Sequence, residues 1–267
     1  MTVRVIDLFC GAGGFSLGCI QAGLDVVLGV DSWDKALETY ELNLPGETLL
    51  ADITQLTGEE LLEITGDEID VVIGAPPCQG FSIAGKRDPK DARNNLIFEF
   101  LRLVIEIHPK YFMMENVPGM TSADKGRVWG TFCGLVDKSV YEWDWQTLNA
   151  VDYGVPQNRK RIFVAGWLPE MPKYEFPEPT HCIPEKAYQP DLFRNELLPY
   201  VNVGEAIGGL PGGQPVGSNI IRIDENWNPG EDFMQCPNCG RYNMKYRKNC
   251  HNCDRINTSL ILPTDIY

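Results

Sequence analysis

Gly74-Ala75-Pro76-Pro77-Cys78-Gln79-Gly80-Phe81-Ser82 follows directly on the run Ile69-Asp70-Val71-Val72-Ile73. That run is short, apolar and β-branched, the composition of a buried strand. A cysteine just beyond it falls where open α/β sheets place their working residues, outside the carboxyl ends of the strands. The two prolines fix φ and restrict the residue before each of them, so the thiol leaves the sheet on a stiff backbone. Gly80 allows a second molecule to approach closely. A Pro/Gly turn with an incidental cysteine explains this stretch equally well on its own, and the rest of the chain decides between the two.

Working outward, strands and helices alternate. Residues 3–9 read as a first strand, Cys10-Gly11-Ala12-Gly13-Gly14 as a loop, and 15–22 as a helix closed by Gly23. A second strand spans 26–30 and meets Asp31. A helix over 34–44, capped by Asp34 or Ser32, ends at Pro45-Gly46. A short third strand at 48–51 carries Asp52 at its tip. Beyond the Pro-Pro-Cys loop come a helix at 95–107 and a strand at 111–114 that ends in Glu115. This alternation predicts an α/β fold with a doubly wound, mostly parallel sheet. Asp7, Asp31, Asp52, Cys78 and Glu115 all fall at strand ends, which points to one site at one edge of that sheet.

The glycine loop, with an acid some 20 residues on, fits a nucleoside ligand, because glycines admit the ligand and a carboxylate accepts from both ribose hydroxyls. Gly11-x-Gly13-Gly14 is not the dinucleotide spacing, yet residue types alone leave a dinucleotide and S-adenosylmethionine both open. Trp33 either stacks on an adenine or packs half-buried. Asp52 either accepts from the adenine amino group or caps the helix after it.

The 267 residues are 43% hydrophobic and 22% charged, as in an ordinary folded domain. No charged leader precedes an apolar core and no apolar run nears membrane-spanning length, so neither a signal peptide nor a membrane span is expected. Nine cysteines, an odd and scattered set, fit a reducing compartment, and a cytoplasmic location is expected. The net charge of −14 opposes nucleic-acid binding in bulk. Local basic groups keep it open: Lys86, Arg87, Lys90 and Arg93; Arg159 to Arg161; and Arg241, Lys245, Arg247, Lys248 and Arg255.

Four stretches, in order, then carry a resemblance: Asp7 through Ser16, Gly74 through Ser82, Glu115-Asn116-Val117, and Gln157-Asn158-Arg159-Lys160-Arg161-Ile162. Together they closely resemble the motif series of DNA methyltransferases acting on carbon 5 of cytosine. Leu148 through Pro156 resembles the lead-in to the last motif, and Val203 through Gly208 is a weaker match. The resemblance implies a base-flipping enzyme of the S-adenosylmethionine-dependent methyltransferase fold, with double-stranded DNA as partner. It implies Cys78 as nucleophile, Glu115 as the cytosine-binding acid, and Arg161 with Arg159 as a basic pair. It assigns Phe9, Gly11, Gly13, Gly14, Asp31, Trp33, Asp52, Ile53 and Pro76 to the cofactor, and residues 86–94 to a loop that closes over the flipped base. A prokaryotic, archaeal or viral origin in a restriction–modification setting is implied as well.

The chemistry fits these residue types independently. Carbon 5 of cytosine is too weak a nucleophile to take a methyl group unaided, and a thiolate added at carbon 6 makes the ring enamine-like. The thiol then needs a lowered pKa. A carboxyl that keeps its proton at ring nitrogen 3, with an arginine at the ring carbonyl, stabilises the charge that develops.

Beyond Gly166 prolines multiply and long apolar runs stop. The expected division is a catalytic domain at 1–170 and a partial target-recognition region at 171–267. Within the latter, Cys236-Pro237-Asn238-Cys239 and Cys250-His251-Asn252-Cys253 have the spacing of a four-thiolate zinc site, which makes a small irregular zinc-containing second lobe. Whether such zinc only holds the lobe together or also contacts nucleic acid is open. The family continues into two further motifs, an arginine-rich helix and a Gly-Asn-x-Val segment, and neither occurs in these residues. A truncated chain, or one subunit of an enzyme whose second subunit supplies them, is therefore expected. A tRNA cytosine-5 methyltransferase, and a non-catalytic homologue that only binds a partner, are the competing functions.

Overall fold

The computed structural model describes residues 2–66, 68–77, 95–183 and 197–207, and beyond them only the backbone of four short strands. The chain divides into two compact units, 1–150 with 158–179, and 151–157 with 180–267.

The first unit is a seven-stranded sheet. Its strands are β1 (Arg4–Leu8), β2 (Asp25–Asp31), β3 (Glu47–Leu50), β4 (Val71–Gly74), β5 (Tyr111–Asn116), β6 (Glu142–Asn149) and β7 (Lys160–Trp167). The order is β3-β2-β1-β4-β5-β7-β6. The five strands from β3 to β5 pair in parallel, as the alternation of elements predicts. β7 runs antiparallel to both β5 and β6, and it is β6 and β7 that the sequence reading lacks. The sheet is therefore mostly parallel, with an antiparallel edge.

Period-two alternation sends successive side chains to opposite faces. On one face Ile6, Leu8, Leu28, Val72, Phe112, Met114 and Val164 join a single large apolar cluster. It is covered by α3 (Gly58–Thr65), α4 (Leu96–Ile107) and α5 (Arg127–Val136), with Phe100 and Tyr141 packed edge-on against Phe112. The opposite face carries Val5, Val26 and Ile73 beneath α1 (Gly14–Gln21). α2 (Asp34–Asn43) lies on the same side, where its buried Tyr40 packs with Cys10 and Leu37.

Three local readings change. The N-cap position of α2 is Trp33 and carries no side-chain cap, so neither Asp34 nor Ser32 caps the helix. Glu115 lies within β5 rather than after it. α3 has no counterpart among the expected helices although its signals are strong: Thr57 and Glu60 form a reciprocal capping box and Gly66 closes the last turn with φ of 76°.

The second unit holds a parallel pair at residues 181–182 and 198–199 and a short helix, Val203–Ile207. Residues 212–216 pair antiparallel with 220–224, and 233–235 with 242–244. Tyr200 donates to Asp152 Oδ1 at 2.7 Å. No helix among the described residues is long and apolar enough to cross a membrane.

Gly74 marks the tightest packing near the Pro-Pro loop. A Cβ there would lie 2.7 Å from the Leu8 carbonyl oxygen and 2.7 Å from the Phe100 ring. Backbone cannot yield as a side-chain tip does, so Gly74→Ala is expected to destabilise the unit by about 1–3 kcal/mol. A denaturant titration of the two proteins measures this directly.

Candidate active site

β5 and β7 build the first half of the site. In their register Glu115 faces Phe163 and Asn116 faces Ile162. Arg159 and Arg161 are two residues apart, so an extended backbone puts both on the Glu115 side, while Ile162 and Val164 point into the core. Arg161 Nε lies 2.8 Å from Glu115 Oε1, and Arg159 approaches the same oxygen at 3.6 Å. Burial raises the Glu115 carboxyl above its usual range, and the two arginines pull it back without cancelling the effect.

Next along β5, Asn116 is buried and donates from Nδ2 to the Pro76 carbonyl at 3.2 Å. The Ala75 amide donates to the Leu8 carbonyl at 3.3 Å. The backbone entering the Pro-Pro turn is thus tied both to β1 and to the strand that carries Glu115. Asn116 was quoted from the sequence only as part of a motif, and its anchoring role needed the β4–β5 pairing to be seen. Cys78 and residues 86–94 lie outside the described residues.

The second half is a cavity of about 310 Å³ at the carboxyl ends of the parallel strands. Phe9, Asp31, Trp33, Asp52 and Ile53 line it, as do Pro77 and Leu96. Pro76 is not in that lining; its carbonyl serves the Asn116 anchor instead. Gly11, Gly13 and Gly14 are not in the lining either. They shape the loop above it, with left-handed φ of 55° at Gly11 and 91° at Gly13. A Cβ on Gly13 would come within 2.2 Å of the Leu44 side chain. Phe9 itself adopts φ of 62°, a conformation costly for a residue with a bulky side chain and concentrated at functional sites.

Asp31 fastens this loop. Its Oδ2 accepts from the Gly11 amide and its Oδ1 from the Trp33 amide, both at 2.9 Å. Asp52 caps the short turn after it, accepting from the Thr54 amide at 3.0 Å. Trp33 is 64% exposed, so its indole is not core packing. The lining thus offers two aromatic faces and two carboxylates, a donor set suited to a cationic nucleoside.

Residues 3–251 match the family profile of C-5 cytosine-specific DNA methylases. The chain belongs to that family. Among curated relatives it is 39% identical over 239 residues to the type II methyltransferase M.AquIA of Picosynechococcus, covering 84% of this chain and 96% of that protein. It is 39% identical over 212 residues to M.XorII of Xanthomonas oryzae, there covering 77% of this chain and 46% of the relative. A prophage-encoded E. coli protein described as a DNA modification methyltransferase superposes with a TM-score of 0.63 at 32% identity, over 80% of this chain and 59% of that one. The chain thus spans about half the length of some of its methylase relatives and nearly all of another.

In this methylase, Arg161 is the nearer counter-charge to Glu115. Arg161→Ala is expected to move the Glu115 titration further upward, because it removes the largest influence that opposes burial. Carbon-13 NMR of labelled glutamate carboxyls follows that titration.

Proposed function

We propose that this chain transfers a methyl group from S-adenosylmethionine to carbon 5 of a flipped cytosine in double-stranded DNA, through a covalent bond to Cys78. The observation that carries this reading is Glu115, an arginine-held carboxyl with a raised pKa, on the strand that pins the Pro-Pro turn before Cys78. The Cys78 thiolate adds to ring carbon 6. Glu115, protonated, donates to nitrogen 3, and Arg161 with Arg159 stabilises the charge that builds on the ring. Carbon 5 then takes the methyl group, water removes the carbon-5 proton, and the thiolate leaves. S-Adenosylmethionine supplies the electrophilic methyl on its sulfonium. Phe9 and Trp33 would hold its adenine, Asp31 its ribose, and Asp52 with Ile53 the base edge beside the cavity, under the loop at Gly11 to Gly14.

The catalytic domain is proposed as 1–170 and the target-recognition region as 171–267. Within the latter, Cys236, Cys239, Cys250 and Cys253 are proposed as ligands to one zinc ion. They lie outside the described residues, and among the described ones no group of His, Cys, Asp and Glu suits a metal. Support comes from position: the first Cys-x-x-Cys falls in the connection between two paired strands, 233–235 and 242–244. Elemental analysis of protein purified without chelator is expected to find about one zinc per chain. The double substitution Cys250→Ala with Cys253→Ala is expected to abolish it.

A second polypeptide carrying the two absent motifs is proposed to complete the enzyme. On α1 Ser16 and Cys19 are buried and Phe15 and Ile20 pack beside them, while Leu17 is 44% exposed, a single apolar side chain that a partner element would cover. Alone, the chain is expected to bind S-adenosylmethionine weakly and turn over poorly.

The covalent step has a direct test. With its partner elements supplied, the chain is expected to form a stable adduct with DNA containing 5-fluorocytosine, because fluorine cannot leave as a proton does. Cys78→Ser is expected to abolish the adduct, and an undiminished adduct would refute the nucleophile.

A further inference from the structure

Beneath the glycine loop lies a buried polar chain that the reaction above does not use. Asp7, on β1, is fully buried. Its Oδ2 accepts from the Ser16 hydroxyl at 2.6 Å, and Ser16 Oγ accepts from the Tyr40 hydroxyl at 3.0 Å. Ser16 sits in the first turn of α1 and Tyr40 on α2, so Asp7 ties β1 to the helix after the loop and, through Ser16, to α2. Its other oxygen, Oδ1, has no hydrogen-bond partner among the described residues.

A carboxylate in that position is costly unless charge nearby offsets it. The groups that face it offer none. Asp31 on β2 adds negative charge, and Ser16 and Cys19 on α1, Tyr40 on α2 and Cys10 in the loop are uncharged hydroxyls and thiols. Opposite it in the sheet stand Gly29 and Ile73. Burial favours the neutral form, as does the negative charge of Asp31, while donation from the Ser16 hydroxyl and from the Ser16 backbone amide favours the ionised one.

We propose that Asp7 positions the cofactor loop as a neutral acid in the free chain, and loses its proton when a cationic ligand settles over Gly11 to Gly14. The inference rests on the cofactor reading of that loop and deepens it. The balance is simple: the protonated chain and a sulfonium ligand give the ionised complex and one proton in solution. Burial raises the Asp7 carboxyl to about 7. Affinity for the cation therefore rises with pH through neutrality, and Asp7 responds to the sulfonium charge rather than to the nucleoside.

With the partner elements supplied, calorimetry in phosphate and in Tris counts protons released on binding, and S-adenosylhomocysteine, which lacks the sulfonium charge, gives the baseline. At pH 7, S-adenosylmethionine is expected to release up to about half a proton more than S-adenosylhomocysteine. Asp7→Asn should erase that difference, and Ser16→Ala should move its maximum to higher pH. A difference absent in the parent chain, or unchanged in Asp7→Asn, overturns the proposal. If neither ligand binds, the cofactor reading fails and this one with it.

Melting of the free chain gives a ligand-free arm. A carboxyl raised on folding is protonated in the folded state while ionised in the unfolded one, so stability falls as pH rises towards 7 and levels off above it. The parent is expected to lose stability over that window relative to Asp7→Asn. Parallel melting profiles would overturn the neutral-acid assignment whatever the cofactor does.

Discussion

The antiparallel pairing of β7 against β5 is the constraint on which the site depends. A parallel sheet alone would deliver Glu115 to its edge with nothing to hold it. The reversed strand brings Arg159 and Arg161 back along the same face, and the period of two does the rest. Burial and two cations act on the carboxyl in opposite directions, and burial prevails. The result is a group that can keep a proton while it stands among positive charge, which neither an exposed glutamate nor an unpaired buried one would do in the same way.

The cofactor side depends on backbone rather than on charge. Phe9, Gly11 and Gly13 all take left-handed conformations within five residues. Such a loop persists only when its surroundings hold it. Asp31 supplies two amide contacts from the neighbouring strand, and the buried Asp7, Ser16 and Tyr40 chain ties down the helix that follows. Both halves of the site are therefore built as strand-end residues held by adjacent strands.

Much of this was legible in the residues. β-branched runs gave the parallel strands, and Asp31 and Asp52 at their ends marked the edge where the cavity lies, whereas Asp7 is buried inside β1 and does not line it. The antiparallel pair was missed because Trp143, Trp145 and the Arg-x-Arg run do not alternate apolar with polar in an obvious way. β6 is an edge strand with four consecutive exposed residues, Asp144 to Thr147. α3 is legible from its capping box, Thr57 with Glu60. Asp52 kept two readings in the sequence; the structure shows the cap, and the same residue lines the cavity. The anchoring of Pro76 by Asn116 joins residues 40 positions apart, and no local pattern encodes it.

The most direct test of the account identifies the product. DNA would be incubated with the chain, the missing elements supplied, and S-adenosylmethionine labelled in its methyl group, then digested to nucleosides and resolved by mass spectrometry. The account predicts label in 5-methyl-2′-deoxycytidine, lost in Cys78→Ser and sharply reduced in Glu115→Gln. Label on an exocyclic amino group of adenine or cytosine, or label at carbon 5 that persists in Cys78→Ser, would contradict it.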